Sequence, residues 1–322
     1  MKEEERGEDE DHKRGWAVAE SFLIYGESGT YKTTQVGLFA DYQVERYDKT
    51  DGLYVRLVTS DSTFKPASRQ VKSGRLKVWN LKAGPMETKL AQVMLAAQGW
   101  WPNVIDEAGV PDLTKGLTKD LTGVVGYAWE GLSQTADLMS QHLTDTQKST
   151  GQPLQSVFEQ KLGGQTVSFA HASQGTYGFV QAKTREYVKF LTALPVDRVL
   201  VTAHEGKGVD DGPSKKMVFG PAVLGKALTD KASSWFGTTL HHESYMVEDK
   251  KRGKVAAVRA YFERHPDPEV GNVFWPAKLD CTPDAGRNVL EYWPEGFIPL
   301  VRGKVGYESG LHLLLAVIDS EG

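Results

Sequence analysis

The run from Phe22 to Thr34 constrains this chain more than any other stretch. Four apolar residues, Phe22, Leu23, Ile24 and Tyr25, lead into Gly26, Glu27, Ser28, Gly29, Thr30, Tyr31, Lys32, Thr33 and Thr34, after which a helical pattern begins. A buried strand aims the turn, glycines let it curl so that several backbone N–H groups point inward, and a helix N-terminus faces whatever anion sits there. In such a phosphate-binding loop Lys32 reaches the terminal phosphates and the Thr33 hydroxyl binds Mg²⁺, with Thr34 as a spare hydroxyl. One position departs from the usual G-x-x-x-x-G-K-[ST] pattern, because Tyr31 stands where glycine normally precedes the lysine. A tyrosine there carries a steric cost in any left-handed backbone conformation that glycine would not.

Beyond the loop the chain alternates between periods. Apolar residues Val36, Phe39, Ala40 and Val44 recur near helical spacing, 53–59 and 76–81 read as strands, and 86–97 returns to helix. Such alternation predicts a three-layer α/β domain with a mainly parallel sheet. An apolar run at 124–129, a helix at about 134–147, a short strand at 166–170, a helix at 184–194 and a strand at 198–205 continue it. A helix at 227–236 and a hairpin of 238–248 with 255–262 complete the readable part. The segments 99–120, 148–177 and 206–221 are irregular or rich in Gly, Gln, Ser and Thr and read as excursions, the latter two as functional loops. Beyond 262, Trp275, Pro276, Trp293 and Pro294 leave no clean periodicity.

In open α/β sheets ligands sit beyond the carboxyl ends of the strands, so polar residues there carry most weight. Asp61 follows one strand and reads as a residue that positions the attacking water, as a second-sphere magnesium group, or as a turn-forming aspartate. Glu130 ends the 124–129 run, where an acid would hold Mg²⁺ through water opposite the Thr33 hydroxyl. His204 ends the 198–205 strand, placed to touch a terminal phosphate or the attacking water.

The first fourteen residues hold seven acidic and four basic side chains, so they carry −3 of the formal charge of −4 and the remainder carries only −1. Residues 1–15 are expected to be a disordered tail, since they lack apolar residues to offset their ordering entropy. A nearly neutral body argues against a global field for nucleic acid. Local cations remain: Lys207, Lys215 and Lys216 in one loop, and Lys250, Lys251 and Arg252 in a hairpin turn, could meet a phosphate backbone. The single cysteine, Cys281, excludes an internal disulfide and agrees with a reducing compartment. The apolar run from Leu313 to Ile318 is too short to cross a bilayer, so no membrane partner is expected and the chain reads as cytoplasmic.

Taken in order, the phosphate loop, the strand ending Glu130-Gly131-Leu132-Ser133, the strand ending Thr202-Ala203-His204-Glu205 and the later Gly220-Pro221-Ala222-Val223-Leu224-Gly225-Lys226 resemble the RecA-like P-loop ATPases encoded by bacteriophages, which are associated with single-strand annealing and recombination. The resemblance covers roughly 16–248 and leaves 249–322 as a β-rich C-terminal extension. It implies ATP and Mg²⁺ as cofactors, Lys32, Asp61, Glu130 and His204 in catalytic roles, and 148–177 and 206–220 in the place of DNA-binding loops. It further implies a homo-oligomer or filament in which a neighbour's cation, Lys278 or Arg287, completes the site. Single-stranded DNA, with a single-strand-binding or annealing protein, is the expected partner in the host cytoplasm. The alternative is a nucleotide-gated module that recruits such partners with little or no hydrolysis.

Overall fold

The computed structural model describes residues 19–61, 64–82, 88–150, 158–169, 175–209, 217–223, 226–249, 253–266, 274–281, 283–300 and 310–320. The charged tail expected at 1–15 lies outside them. Among the described residues the expected three-layer α/β architecture is present: one nine-stranded, mainly parallel sheet with helices on both faces. Its strands are β1 (Glu20–Gly26), β2 (Tyr54–Thr59), β3 (Leu76–Asn80), β4 (Val124–Glu130), β5 (Arg198–Val209), β6 (Met217–Pro221), β7 (Thr238–Asp249), β8 (Gly253–Tyr261) and β9 (Phe297–Leu300). They lie in the order β3, β2, β4, β5, β1, β7, β8, β9, with β6 paired to the far half of β5. The first six of that order run parallel, and β6, β8 and β9 each add antiparallel to a neighbour.

The parallel strands are covered on both faces, which is why they read as continuous apolar runs. Leu23 and Tyr25 of β1 point into one core, shared with α3 (Lys89–Ala97), α4 (Leu132–Thr150) and α5 (Gly175–Thr192). Phe22 and Ile24 point the other way, onto α1 (Lys32–Glu45), α7 (Pro283–Tyr292) and α8 (Leu311–Asp319). The strand period of two thus divides one apolar run between two cores.

Several segments are more ordered than composition suggests. Within 148–177, α4 continues to Thr150, Phe158–Leu162 pairs antiparallel with Gln165–Phe169, and α5 begins at Gly175. Within 206–221, β5 runs on to Val209 and β6 returns beside it, so cross-strand hydrogen bonds satisfy a backbone that Gly and Asp content alone marks as loop. Residues past 248 supply β8 and β9, two more strands of the same sheet.

At the end of the sheet opposite the phosphate loop, buried Arg198 donates to Glu20 at 2.5 Å and to both carboxylate oxygens of Asp319. Tyr42 donates to the same Asp319 at 2.6 Å. A bidentate guanidinium–carboxylate pair fixes direction as well as distance, and here it ties α8 to the start of β5.

Candidate functional site

The parallel strands β1, β2 and β4 end, and β5 passes, at one cleft of about 260 Å³, lined by Ser28 to Thr34, Asp61, Pro66, Glu130, Gly131, Gln134 and Thr202 to His204. The four residues singled out for chemistry, Lys32, Asp61, Glu130 and His204, all reach it. They come from separate elements, as expected for a site at the carboxyl edge of a parallel sheet.

The loop's shape is set from outside as much as from within. A Cβ on Gly26 would collide with the carbonyl oxygen of His242, because β7 runs directly alongside, with Gly26 opposite His242. That glycine is therefore required by close strand approach. His242 is buried and its Nδ1 lies 2.8 Å from the Thr30 carbonyl oxygen, so the ring donates and pins the loop to β7. Burial drives the His242 pKa down to about 3, and the ring is neutral.

Tyr31 has φ 59° and ψ 22°, and among the described residues it is the one non-glycine with positive φ. The left-handed region costs an L-residue roughly 1–2 kcal/mol. What the tyrosine gives in return is packing: its ring lies against Val258, Ala260 and Leu300 of β8 and β9. The carbonyl of Tyr31 then accepts the first helical bond from Gln35 at 3.1 Å, so the residue serves as the N-cap of α1.

Lys32 folds back over the loop, donating to the Gly26 carbonyl at 2.8 Å, the Glu27 carbonyl at 2.5 Å and the Thr30 hydroxyl at 3.3 Å. Burial lowers its pKa to about 8, partly opposed by the nearby carboxylates of Glu205, Asp61, Glu130 and Glu27. Across the cleft the Thr33 hydroxyl donates to Glu130 Oε1, and Thr59 donates to Glu130 Oε2 at 3.1 Å. Burial raises the Glu130 pKa to about 7, against the two hydroxyl bonds that lower it. The Thr59 hydroxyl also receives the backbone N–H of Asp61 at 3.1 Å, which sets that aspartate beside the pair.

Hydroxyl and carboxylate oxygens are the donors a hard divalent cation takes. The Thr33 hydroxyl on the first turn of α1 and the Glu130 carboxylate at the end of β4 already touch one another, so the pair has the oxygen chemistry that a magnesium ion would take.

His204 extends into the cleft from β5 and meets the side-chain amide of Gln134. Its pKa is lowered by burial and by Lys32, with Asp61 and Asp137 pulling the other way. Next to it, Glu205 reaches His241 Nε2 at 3.1 Å, and His241 stacks on both Tyr25 and Trp275. The two histidines of β7 thus serve opposite faces, one gripping the loop and one buttressing Glu205.

Other candidates lie elsewhere. Lys207 belongs to β5, while Lys215, Lys216, Lys250, Lys251 and Arg252 fall outside the described residues. Lys278 is exposed and its backbone bridges Thr239, and Arg287 is exposed on α7; neither lines the cleft of its own chain. Conversely, His242, Gln134 and Thr59 belong to the site without any motif to announce them. The adjacent pair His241 and His242 in a strand is the one visible signal, and it becomes meaningful only once β7 is known to lie beside β1.

No family model and no curated protein matches this chain. Among solved structures, the flagellar accessory protein FlaH from Methanocaldococcus jannaschii aligns at 10% identity with a TM-score of 0.37, covering 75% of this chain and 76% of that one. That likeness is too distant to assign the chain to a family.

Proposed function

We propose that this protein binds ATP with Mg²⁺ in the cleft and hydrolyses it, acting as a RecA-like ATPase on single-stranded DNA in phage recombination or replication. The observation that carries the nucleotide reading is the convergence of Lys32, the Thr33 hydroxyl and the Glu130 carboxylate at the mouth of one phosphate loop. The magnesium ion supplies charge neutralisation on the β and γ phosphates. The chain's own residues do the rest. The loop amides and Lys32 hold the phosphate chain, Thr33 and Glu130 furnish the metal's oxygens, and Asp61 takes the proton of the attacking water. The water oxygen bonds to the γ-phosphorus as the bond to the β–γ bridging oxygen breaks; ADP keeps that electron pair and inorganic phosphate leaves. Catalysis of this kind rests on positioning and charge stabilisation.

The DNA part of the proposal is supported by connectivity: β5, which carries His204, continues straight into the pairing with β6, giving the cleft and that hairpin a shared strand.

The experiment is calorimetry with ATP and a non-hydrolysable analogue, alongside phosphate release. Lys32→Ala should weaken binding by roughly 10- to 100-fold, the worth of charge-assisted hydrogen bonds. Asp61→Asn should keep binding and lose turnover. Equal affinity in parent and Lys32→Ala refutes the nucleotide site, and binding without turnover in the parent favours a nucleotide-gated recruiting module. For DNA, the affinity for a labelled oligonucleotide, read by anisotropy, should fall as log K against log[salt] with a slope of about −0.7 per phosphate contact.

A further inference from the structure

Gln134 has no place in the phosphate loop or the metal site, yet it lines the same cleft. It is the third residue of α4, just after Glu130 and Gly131. Its Nε2 lies against His204 Nε2, while its Oε1 is shut from solvent and has no hydrogen-bond partner among the described residues. Turning the amide over exchanges the two ends and leaves the other one unmatched. Either way half of a buried amide goes unsatisfied, at a cost of order 1–3 kcal/mol.

The surroundings hold the backbone, and the absence of a side chain at position 131 spares the amide a close contact. Gly131 has φ +90°, and a Cβ there would fall 2.9 Å from Gln134 Oε1, so the glycine clears the space beside the amide. Ser133 accepts from the His204 backbone N–H at 3.1 Å and donates to the Ala222 carbonyl at 2.5 Å. The Ala222 N–H in turn bonds the His204 carbonyl at 2.6 Å. The first turn of α4, β5 at His204 and the exit of β6 are therefore one bonded unit, from which the Gln134 side chain reaches the cleft.

We infer that Gln134 is the residue by which the site tells ATP from ADP: it leaves His204 and donates its amide N–H to a terminal phosphate oxygen when a third phosphate is present. This rests on the cleft being the nucleotide site proposed above. In the cleft both ends of the amide meet partners, phosphate for the N–H₂ group and bound water for the oxygen, which removes the unpaired group of the resting arrangement. A diphosphate offers no oxygen at that depth, and the side chain stays on the histidine. His204 then reports the difference through the loss of its amide contact, and the bonded unit carries it toward the β5 and β6 hairpin.

The test uses the full chain, selectively ¹⁵N-histidine labelled, with Mg²⁺ and either ADP or a non-hydrolysable ATP analogue. His204→Gln identifies the resonance by its disappearance. In the parent, the His204 Nε2 shift should differ between the two nucleotides, and the analogue should bind more tightly than ADP. Gln134→Ala should lose about tenfold of the preference for the analogue over ADP, the value of a hydrogen bond to a charged group, and show one His204 shift for both nucleotides. Gln134→Glu, nearly isosteric but repelled by phosphate, should lower that preference further. An unchanged preference in both variants, or a parent shift that is the same with either nucleotide, overturns the inference. A parent that binds neither nucleotide would instead remove the nucleotide site itself.

Discussion

Replacing Glu130 by glutamine should make the metal-free protein markedly more stable at pH 8 and much less so at pH 5. The carboxyl is buried and its pKa moves from 4.5 to about 7 on folding. A carboxylic acid with a raised folded pKa binds more protons folded than unfolded between those two values, so stability falls as pH rises through that window. Below 4.5 both states are protonated and nothing is lost; above 7 the folded state carries a buried carboxylate and the full penalty. The size is the pKa difference at 1.36 kcal/mol per unit, about 3 kcal/mol, as an order of magnitude. Glutamine keeps the shape and can still meet the Thr33 and Thr59 hydroxyls, but it has no charge to bury. Urea unfolding of parent and Glu130→Gln, in chelator, at half-unit steps from pH 5 to 8 reads this directly. The difference between the two should open between pH 5 and 7 in favour of the variant, then level off. Saturating Mg²⁺ with nucleotide should reverse the order at pH 8, because the ion binds only the parent's carboxylate well. A difference that does not vary with pH would refute the claim that burial of this charge is a cost held in readiness for a cation.

Two further outcomes concern the loop. At Tyr31, alanine keeps the left-handed backbone and loses the ring, whereas glycine loses the ring and relieves the backbone; Tyr31→Ala should be less stable than Tyr31→Gly by about 1 kcal/mol in denaturant titrations, and the reverse order would contradict the observed φ. At His242, alanine removes the donor to the Thr30 carbonyl while asparagine, whose amide nitrogen occupies nearly the same position, retains one. His242→Ala should therefore weaken nucleotide binding by about tenfold and His242→Asn should largely preserve it, with calorimetry as the measure; equal losses would reduce His242 to a space-filling role.

Much of this site is visible in the chain because the loop is local. Gly26 to Thr34 are contiguous, and a strand, a turn and a helix in that order leave few ways to fold. Glu130 and His204 could be placed because each closes an apolar run, and the end of a buried strand is a position that sequence can mark. His242 could not, since its importance comes from pairing β7 parallel to β1 across more than two hundred residues, and strand neighbours that are distant in sequence are not encoded in periodicity. The same holds for Tyr31. Its steric cost is legible, but the side chains that offset it, Val258, Ala260 and Leu300, lie in strands whose partners only the folded sheet reveals. Helix α8 was hidden for a different reason: its apolar face is plain, yet the Arg198 to Asp319 pair that docks it joins residues with no local relation.

The Tyr31 ring has one more consequence, for sequence variation among related chains. A phosphate loop with glycine before its lysine makes no demand on the strands two places away, so those positions are free to drift toward polar residues. With an aromatic ring seated on Val258, Ala260 and Leu300, that freedom is lost, and a change at either end exposes apolar surface at the other. Position 31 and these three should therefore be inherited together: tyrosine with small or branched apolar partners, glycine with a polar strand face. A collection of homologues in which the two vary independently would mean that the ring merely rests on the sheet, and that the loop pays for its tyrosine in some other way.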